Sequence, residues 1–304
     1  MSAVQRGWVG RLFADTANEK EGEMAEECSH ECSSCGVSGC GDRTEASGPS
    51  SLEPNKRSNI KNVIGVVSGK GGVGKSLVTS LLASEMQKRG FKVAILDADI
   101  TGPSIPKSFG VDTRLTADAD GINPAVTASG IEIMSVNLML RREDEFVAWR
   151  GPVVSNAIKQ FWQEVNWGDI DYMFVDMPPG TSDVFLTVFQ SLPVDGIVTV
   201  SAPQELVAMI VGKAVNLARS MEVPVIGLVE NMAYFKCDDC GKKHFIYGEP
   251  QGEEVAKRYE IPSVATLPLD PSFARLVDKG SVEDYDVEGA LDSIIDQIEK
   301  TCAA

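Results

Sequence analysis

The chain has 304 residues, 43% of them hydrophobic, and a formal net charge of −16. This length and apolar content suffice for one large core, and no Pro/Gly-rich linker divides the middle of the chain. The negative charge opposes nonspecific attraction to nucleic acid or to an anionic membrane, so neither is expected as a partner. No apolar run approaches a transmembrane span and the N-terminus lacks a hydrophobic signal core, which makes the cytoplasm the expected location. Seven cysteines in such a chain suggest metal chemistry before disulfides.

Residues 1 to 59 differ from the rest. Up to Met24 there is no sustained periodicity. Arg6 and Arg11 with Trp8 and Phe13 would suit a short amphipathic targeting helix, but Asp15, Glu19, Glu21 and Glu23 argue against one. The simpler expectation is that translation begins at Met24. Cys28, Cys32, Cys35 and Cys40 follow in a C-x3-C-x2-C-x4-C spacing, among serines and glycines that can wrap a metal centre but contribute no core. Four thiolates complete either a [4Fe-4S] cluster or a tetrahedral zinc site, and this spacing does not choose between them. The alternative is a disordered tail that binds metal adventitiously. Gly48-Pro49-Ser50-Ser51, with Pro54, Asn55 and Lys56, reads as a flexible tether into a domain spanning 60 to 304.

Val63, Ile64, Val66 and Val67 form an apolar run expected for a strand buried on both faces, and Leu77, Val78, Leu81 and Leu82 recur at helical spacing. Between them, Gly69-Lys70-Gly71-Gly72-Val73-Gly74-Lys75-Ser76 fits the G-x-x-x-x-G-K-[ST] pattern of a P-loop. Its glycines let backbone N–H groups approach a polyphosphate, and the helix N-terminus adds partial positive charge. Lys75 would reach the β and γ phosphates and the Ser76 hydroxyl would ligate Mg²⁺. A dinucleotide fingerprint, Gly69-x-Gly71-x-x-Gly74 with Asp97, is also present, but Lys75 and Ser76 favour a nucleoside triphosphate. Residues Gly69 to Ser76, together with Leu77, are the expected nucleotide cradle.

After Arg89-Gly90 a second buried strand, Lys92 to Leu96, delivers Asp97 and Asp99 to the carboxyl edge where ligands gather in open parallel sheets. Residues 111 to 130 read as a polar hairpin or loop and Ile131 to Val136 as a strand. A helix opens at Trp149-Arg150-Gly151-Pro152 and continues through Ile158, Phe161 and Trp162. The strand that opens at Asp171 ends in Asp176, where a Walker B acid belongs, and Pro178-Pro179-Gly180-Thr181 is a stiff loop suited to sensing a γ phosphate. Strand Gly196 to Val200, a helix from Pro203 to about Met221 and strand Val225 to Glu230 continue the alternation, which implies a parallel sheet with right-handed crossovers.

Cys237-Asp238-Asp239-Cys240 is the second cysteine group. Two thiols cannot complete a four-thiolate site, but a twofold dimer supplies four. The rivals are a zinc knuckle that includes His244 and stays one ligand short, and a redox dithiol, which the flanking acids do not favour. A strand from Val264 to Pro268 precedes a last helix, from about Val287 to Lys300, with Leu291, Ile294, Ile295 and Ile298 facing the core and an acidic outer face. Cys302 reads as a bystander near a frayed end.

K-G-G-V-G-K-S at Lys70 to Ser76, D-A-D-I-T-G-P-S at Asp97 to Ser104, D-M-P-P-G-T at Asp176 to Thr181 and C-D-D-C at Cys237 to Cys240 together resemble the Mrp/Nbp35 (ApbC-like) iron-sulfur carriers. These belong to the deviant Walker A group with the Min and Par partitioning ATPases and the nitrogenase iron protein. The resemblance covers roughly residues 60 to 304. It implies an α/β P-loop NTPase domain, a parallel sheet with helices on both faces, preceded here by a flexible Cys-rich N-terminal arm. It also implies a homodimer in which Lys70 reaches the partner's phosphates and acts with Lys75 and Asp99 as catalytic residues, Asp99 orienting the attacking water. Ser76, Asp97 and Asp176 would serve Mg²⁺, Asn231 would read adenine, and Cys237 and Cys240 would share a bridging [4Fe-4S] cluster. The implied function is ATP-dependent cluster carriage to apoproteins, with slow, coupled hydrolysis. The alternatives are a partitioning or positioning switch ATPase, against which the charge, the acidic last helix and the CxxC speak, and a nitrogenase-like electron donor.

Overall fold

The computed structural model describes residues 52–99, 104–112, 115–139, 151–180, 183–203, 207–237 and 239–303. Met24, the cysteines at 28, 32, 35 and 40, residues 100–103, Trp149, Arg150, Thr181 and Asp238 lie outside them. The expected alternation is present. The elements that frame the site are β1 (Ser58–Ser68), α1 (Lys75–Lys88), β2 (Val93–Asp97), α2 (Ile105–Ser108), β3 (Thr116–Ala117), β4 (Ile122–Asn123), β5 (Ala125–Val126) and β6 (Glu132–Ser135). They continue with α3 (Gly151–Glu164), β7 (Gly168–Asp176), α4 (Asp183–Ser191), β8 (Gly196–Ser201), α5 (Val207–Ser220), β9 (Val225–Glu230), β10 (Phe235–Lys236) and β11 (Lys243–His244). The chain closes with α6 (Gly252–Tyr259), β12 (Val264–Thr266), α7 (Pro271–Lys279) and α8 (Asp292–Cys302).

The main sheet has the order β12-β9-β8-β1-β7-β2-β6-β5. Its pairings are parallel apart from β5 against β6. Burial follows this order. β1 pairs β7 from Ser58 but meets β8 only from Ile64, so its first half alternates in exposure and its second half is buried throughout. Side chains then sort by the two-residue period of a strand. Val63, Val67 and Leu96 join Phe161, Trp162 and Phe185 of α3 and α4 on one face, and Ile64, Val66 and Ile95 join Val78 and Leu82 of α1 and Ile294 of α8 on the other. Helices cover both faces, as expected. Among the described residues no helix is long and apolar enough to cross a membrane.

Three differences from the sequence reading have local causes. The last helix starts at Asp292, not near Val287, because Glu288 and Gly289 take φ of 49° and 74° and break the helical path. Its expected stripe is correct: Leu291, Ile294, Ile295 and Ile298 are fully buried. Its acidic outer face is partly neutralised, since Arg89 at the end of α1 reaches Asp292, Asp296 and Glu299 at 3.1, 2.6 and 2.7 Å. Leu52 to Arg57, read as the end of a tether, packs on the domain: Leu52 N–H donates to the Ser191 carbonyl and Trp162 Nε1–H to the Leu52 carbonyl, both at 2.7 Å.

Candidate functional site

The P-loop leaves β1 at Ser68 and enters α1 at Lys75. Gly72 and Gly74 adopt φ of 81° and 80°, which a β-carbon disfavours. Gly74 is also hemmed in, because an added Cβ would collide with Nδ2 of Asn231. Gly69 is required for another reason: a Cβ there would meet Ile210 of α5. The loop lines a cleft of ≈ 310 Å³ with Ser68, Gly71, Lys75, Ser76, Asp99 and Pro179 among its walls. Lys70 is exposed.

Parallel pairing of β2 with β7 sets Asp97 beside Asp176 at the carboxyl ends of adjacent strands. Both are buried. Lys75 Nζ lies 2.8 Å from Asp176 Oδ1 and 3.6 Å from Asp99 Oδ2. The Ser76 hydroxyl donates to Asp176 Oδ2 at 2.6 Å and the Thr79 hydroxyl to Asp176 Oδ1 at 2.7 Å. Asp97 stands one layer back. It accepts from the Ser135 hydroxyl at 3.0 Å and from the Asp99 backbone N–H at 3.1 Å, so it holds the turn that presents Asp99. Burial, and then the neighbouring Asp176, push the Asp97 carboxyl well above the usual carboxylate range, against the pull of Lys75 and Ser135. Three carboxyl groups thus converge on one buried ammonium.

Asn231 follows β9 directly. It is buried, and its Nδ2 donates to the Val73 carbonyl of the P-loop at 2.9 Å. An amide has two donor hydrogens and an acceptor, so this bond does not exhaust it. Asn231 also walls a second pocket of ≈ 160 Å³ with Leu81, Pro268, Leu269 and Asp270, and Leu77 and Phe273 border both this pocket and the phosphate cleft.

Cys237 and Cys240 occupy the turn of a small antiparallel hairpin in which Phe235 pairs with His244 and Lys236 with Lys243. The turn is closed by Gly241 N–H to the Cys237 carbonyl at 2.8 Å and Cys237 N–H to the Lys242 carbonyl at 3.0 Å. Cys240 is exposed and Cys237 half-buried, and burial pushes the thiol of the half-buried Cys302 up to about 11. Among the described residues no third His, Cys, Asp or Glu gathers with the hairpin thiols as a metal-binding group. The hairpin is followed by α6, whose first backbone N–H groups, at Gln251 and Gly252, are both held by the buried carboxylate of Glu230 at 3.0 and 2.8 Å.

The structure therefore brings together Lys75, Ser76, Asp97, Asp99, Asp176 and Asn231, and sets Cys237 and Cys240 apart on the hairpin. Sequence reasoning missed Phe273 and Asp270. The signal was present: Asp270-Pro271 is a helix start and Gly280 a helix stop, and in the structure Asp270 caps α7 through the Ser272 N–H at 2.7 Å while Gly280 has φ 69°. Glu230 carried no signal beyond being the last residue of a strand.

A parallel sheet with a glycine loop cradling α1 and two acids on neighbouring strand ends defines a P-loop nucleoside triphosphatase. The family model for ParA, described as the NUBPL iron-transfer P-loop NTPase, matches residues 59–302, and the chain belongs to that family. An iron-sulfur cluster carrier protein of Clostridium perfringens is 43% identical over 277 residues, 87% of this chain and 97% of that one. A nucleotide-binding protein of Archaeoglobus fulgidus, solved in complex with ADP, is 42% identical with a TM-score of 0.68, over 75% of this chain and 89% of that one. The cell division ATPase MinD of Pyrococcus furiosus shares the fold at 20% identity, with a TM-score of 0.57 over 79% of this chain and 99% of that one.

Proposed function

We propose that this chain is an ATP-dependent iron-sulfur cluster carrier, acting as a cytoplasmic homodimer that holds a labile [4Fe-4S] cluster and passes it to apoproteins. The observation that carries the reading is the pair of thiols, one exposed and one half-buried, on a hairpin that follows β9, directly after which Asn231 touches the P-loop. Two thiols per chain are half of a four-thiolate set, and a second copy supplies the other half. The names of the related carriers support the cargo.

Asp99 and Asp176 flank Lys75 at the phosphate cleft, and carboxylates beside a phosphate site favour a polyphosphate that carries a divalent cation over a bare one. The oxygen donors present fit Mg²⁺: the Ser76 hydroxyl and the Asp176 carboxylate already face one another, and Asp97 supports their surroundings. When bound, that cation neutralises charge on the transferred phosphoryl group. Lys75 leaves Asp176 for the phosphates, Asp99 orients the attacking water, Lys70 reaches across the dimer, Asn231 pairs with the adenine edge in the ≈ 160 Å³ pocket, and residues 69 to 77 enclose the phosphates. Hydrolysis is slow and coupled to cluster holding. Cys28, Cys32, Cys35 and Cys40 form a second metal site in the N-terminal arm.

Anaerobic iron and sulfide analysis tests the cargo on the full chain, on Cys237→Ala/Cys240→Ala, and on a chain beginning at Leu52. About one four-iron cluster per dimer in the shortened chain, lost with the two cysteines, is the expected result. Zinc or no metal in the shortened chain, with ATPase activity intact, overturns it.

A further inference from the structure

The pocket beside Asn231, read above as the site of the base, and the cysteine hairpin share a wall. Leu267, Pro268, Leu269 and Asp270 line the ≈ 160 Å³ pocket beside Asn231 and also a larger cavity of ≈ 610 Å³ whose opposite side is Tyr234 to Cys237 and Lys243. Three backbone hydrogen bonds staple this wall to the root of the hairpin. Leu267 N–H donates to the Glu230 carbonyl at 2.9 Å, Ala233 N–H to the Leu267 carbonyl at 2.9 Å, and Leu269 N–H to the Tyr234 carbonyl at 2.7 Å. The far end of the wall is fixed by side chains. The Tyr285 hydroxyl donates to Asp270 Oδ2 at 2.9 Å while Asp270 Oδ1 caps α7, and the Tyr285 ring packs edge-on against Phe273 with centroids 5.1 Å apart. Phe273 in turn faces the phosphate cleft.

We infer that the Leu267–Asp270 wall, latched by Tyr285 on Asp270, couples occupation of the base pocket to the position of the Cys237/Cys240 hairpin, with Tyr285 and Asp270 as positioning residues for the cluster site. This rests on the carrier reading for what the hairpin holds. A base entering beside Asn231 presses on one face of a segment whose other face and backbone bonds belong to the hairpin root, so the hairpin orders when the pocket fills. The lever is the base, so ADP and ATP act alike. A link through the γ-phosphate loops alone would distinguish them. Burial raises the Tyr285 hydroxyl, so the latch keeps its proton across the working pH range.

The test is amide hydrogen exchange on the full-length, metal-free protein, with no nucleotide, with Mg-ADP and with Mg-ATP, each at a concentration that saturates protection of the P-loop amides. Either nucleotide should slow exchange across residues 234–247 by about fivefold or more in the wild type. Tyr285→Phe keeps the ring on Phe273 and removes the donated proton, and Asp270→Ser keeps a capping oxygen for α7 on a side chain too short to reach Tyr285. In both variants the nucleotide-dependent change at the hairpin should fall toward unity. A variant that merely loosens the fold raises exchange equally with and without nucleotide and leaves the ratio unmoved, which counts against the inference. It is overturned as well if wild-type hairpin exchange ignores nucleotide, or responds to ATP but not to ADP. Metal-free exchange does not depend on cargo, so the iron analysis above can fail while this coupling stands, and the reverse.

Discussion

Gly72→Ala and Gly74→Ala are the same substitution in nearly the same backbone conformation, φ 81° and 80°, so their difference isolates what surrounds Gly74. An alanine in the left-handed region costs about 1 kcal/mol at either position. At Gly72 the new methyl meets open space and nothing more is added. At Gly74 it drives Asn231 off the Val73 carbonyl, and a buried amide that loses its partner costs roughly a further 1–3 kcal/mol. With a urea m-value of about 2.5 kcal/mol/M, the midpoint of the nucleotide-free protein should fall by about 0.4 M for Gly72→Ala and by about 1 M for Gly74→Ala. Adding Gly74→Ala to Asn231→Ala should cost only the conformational part, about 1 kcal/mol. Equal midpoints for the two single variants, or an undiminished cost in the Asn231→Ala background, would refute the claim that Asn231 seals the P-loop.

Glu132 on β6 has a buried Oε2 without a hydrogen-bond partner among the described residues, and burial lifts its carboxyl to about 7 against a smaller pull from Lys92. A carboxyl raised on folding adds stability that is present below its unfolded value of 4.5 and is lost as pH rises through about 7. The full effect, about 3 kcal/mol in a dry site, is cut to about 1 by partial solvent access. Glu132→Gln should therefore gain about 1 kcal/mol relative to wild type between pH 4 and pH 8 in urea titrations, and a flat difference contradicts the assignment. Arg89→Ala removes three exposed contacts to α8 and should cost about 1 kcal/mol in low salt, mostly vanishing near 1 M salt. Linkage makes coupling between the hairpin and the base pocket reciprocal. Loading the cluster should therefore change ADP affinity, read by calorimetry, by the same factor that ADP changes affinity for the cluster, and an ADP Kd unaffected by the cluster contradicts it.

The P-loop was legible because its residue types are tied to single jobs: glycine where φ is positive, lysine and serine where phosphate and cation sit. Asp176 was legible as a strand end and Asp99 as an acid just beyond one. Asp97 was legible as an acid at the site but not as one placed behind it, since its depth comes from Ser135, contributed by β6, a strand whose register to β2 no local pattern encodes. The helices α4, α6 and α7 were not read. α6 and α7 are short and largely polar, and α7 has no buried residue, although the capping residues of α7 mark its ends. The start of α8 was misplaced because Glu288, not an obvious breaker, shares the positive φ of Gly289.

The nearness of the two sites follows from sheet order more than from any single contact. In a parallel sheet every strand delivers its carboxyl end to one edge, which puts the P-loop after β1, the acids of β2 and β7 and Asn231 of β9 along a line. A hairpin inserted after β6 would leave that edge at the far side, beyond β2. The cysteine hairpin is inserted after β9, and the chain returns through α6 to β12, the neighbour of β9. The segment that leaves β12 must then pass between the hairpin root and the nucleotide cleft, and it is this segment, Leu267 to Asp270, that both cavities share.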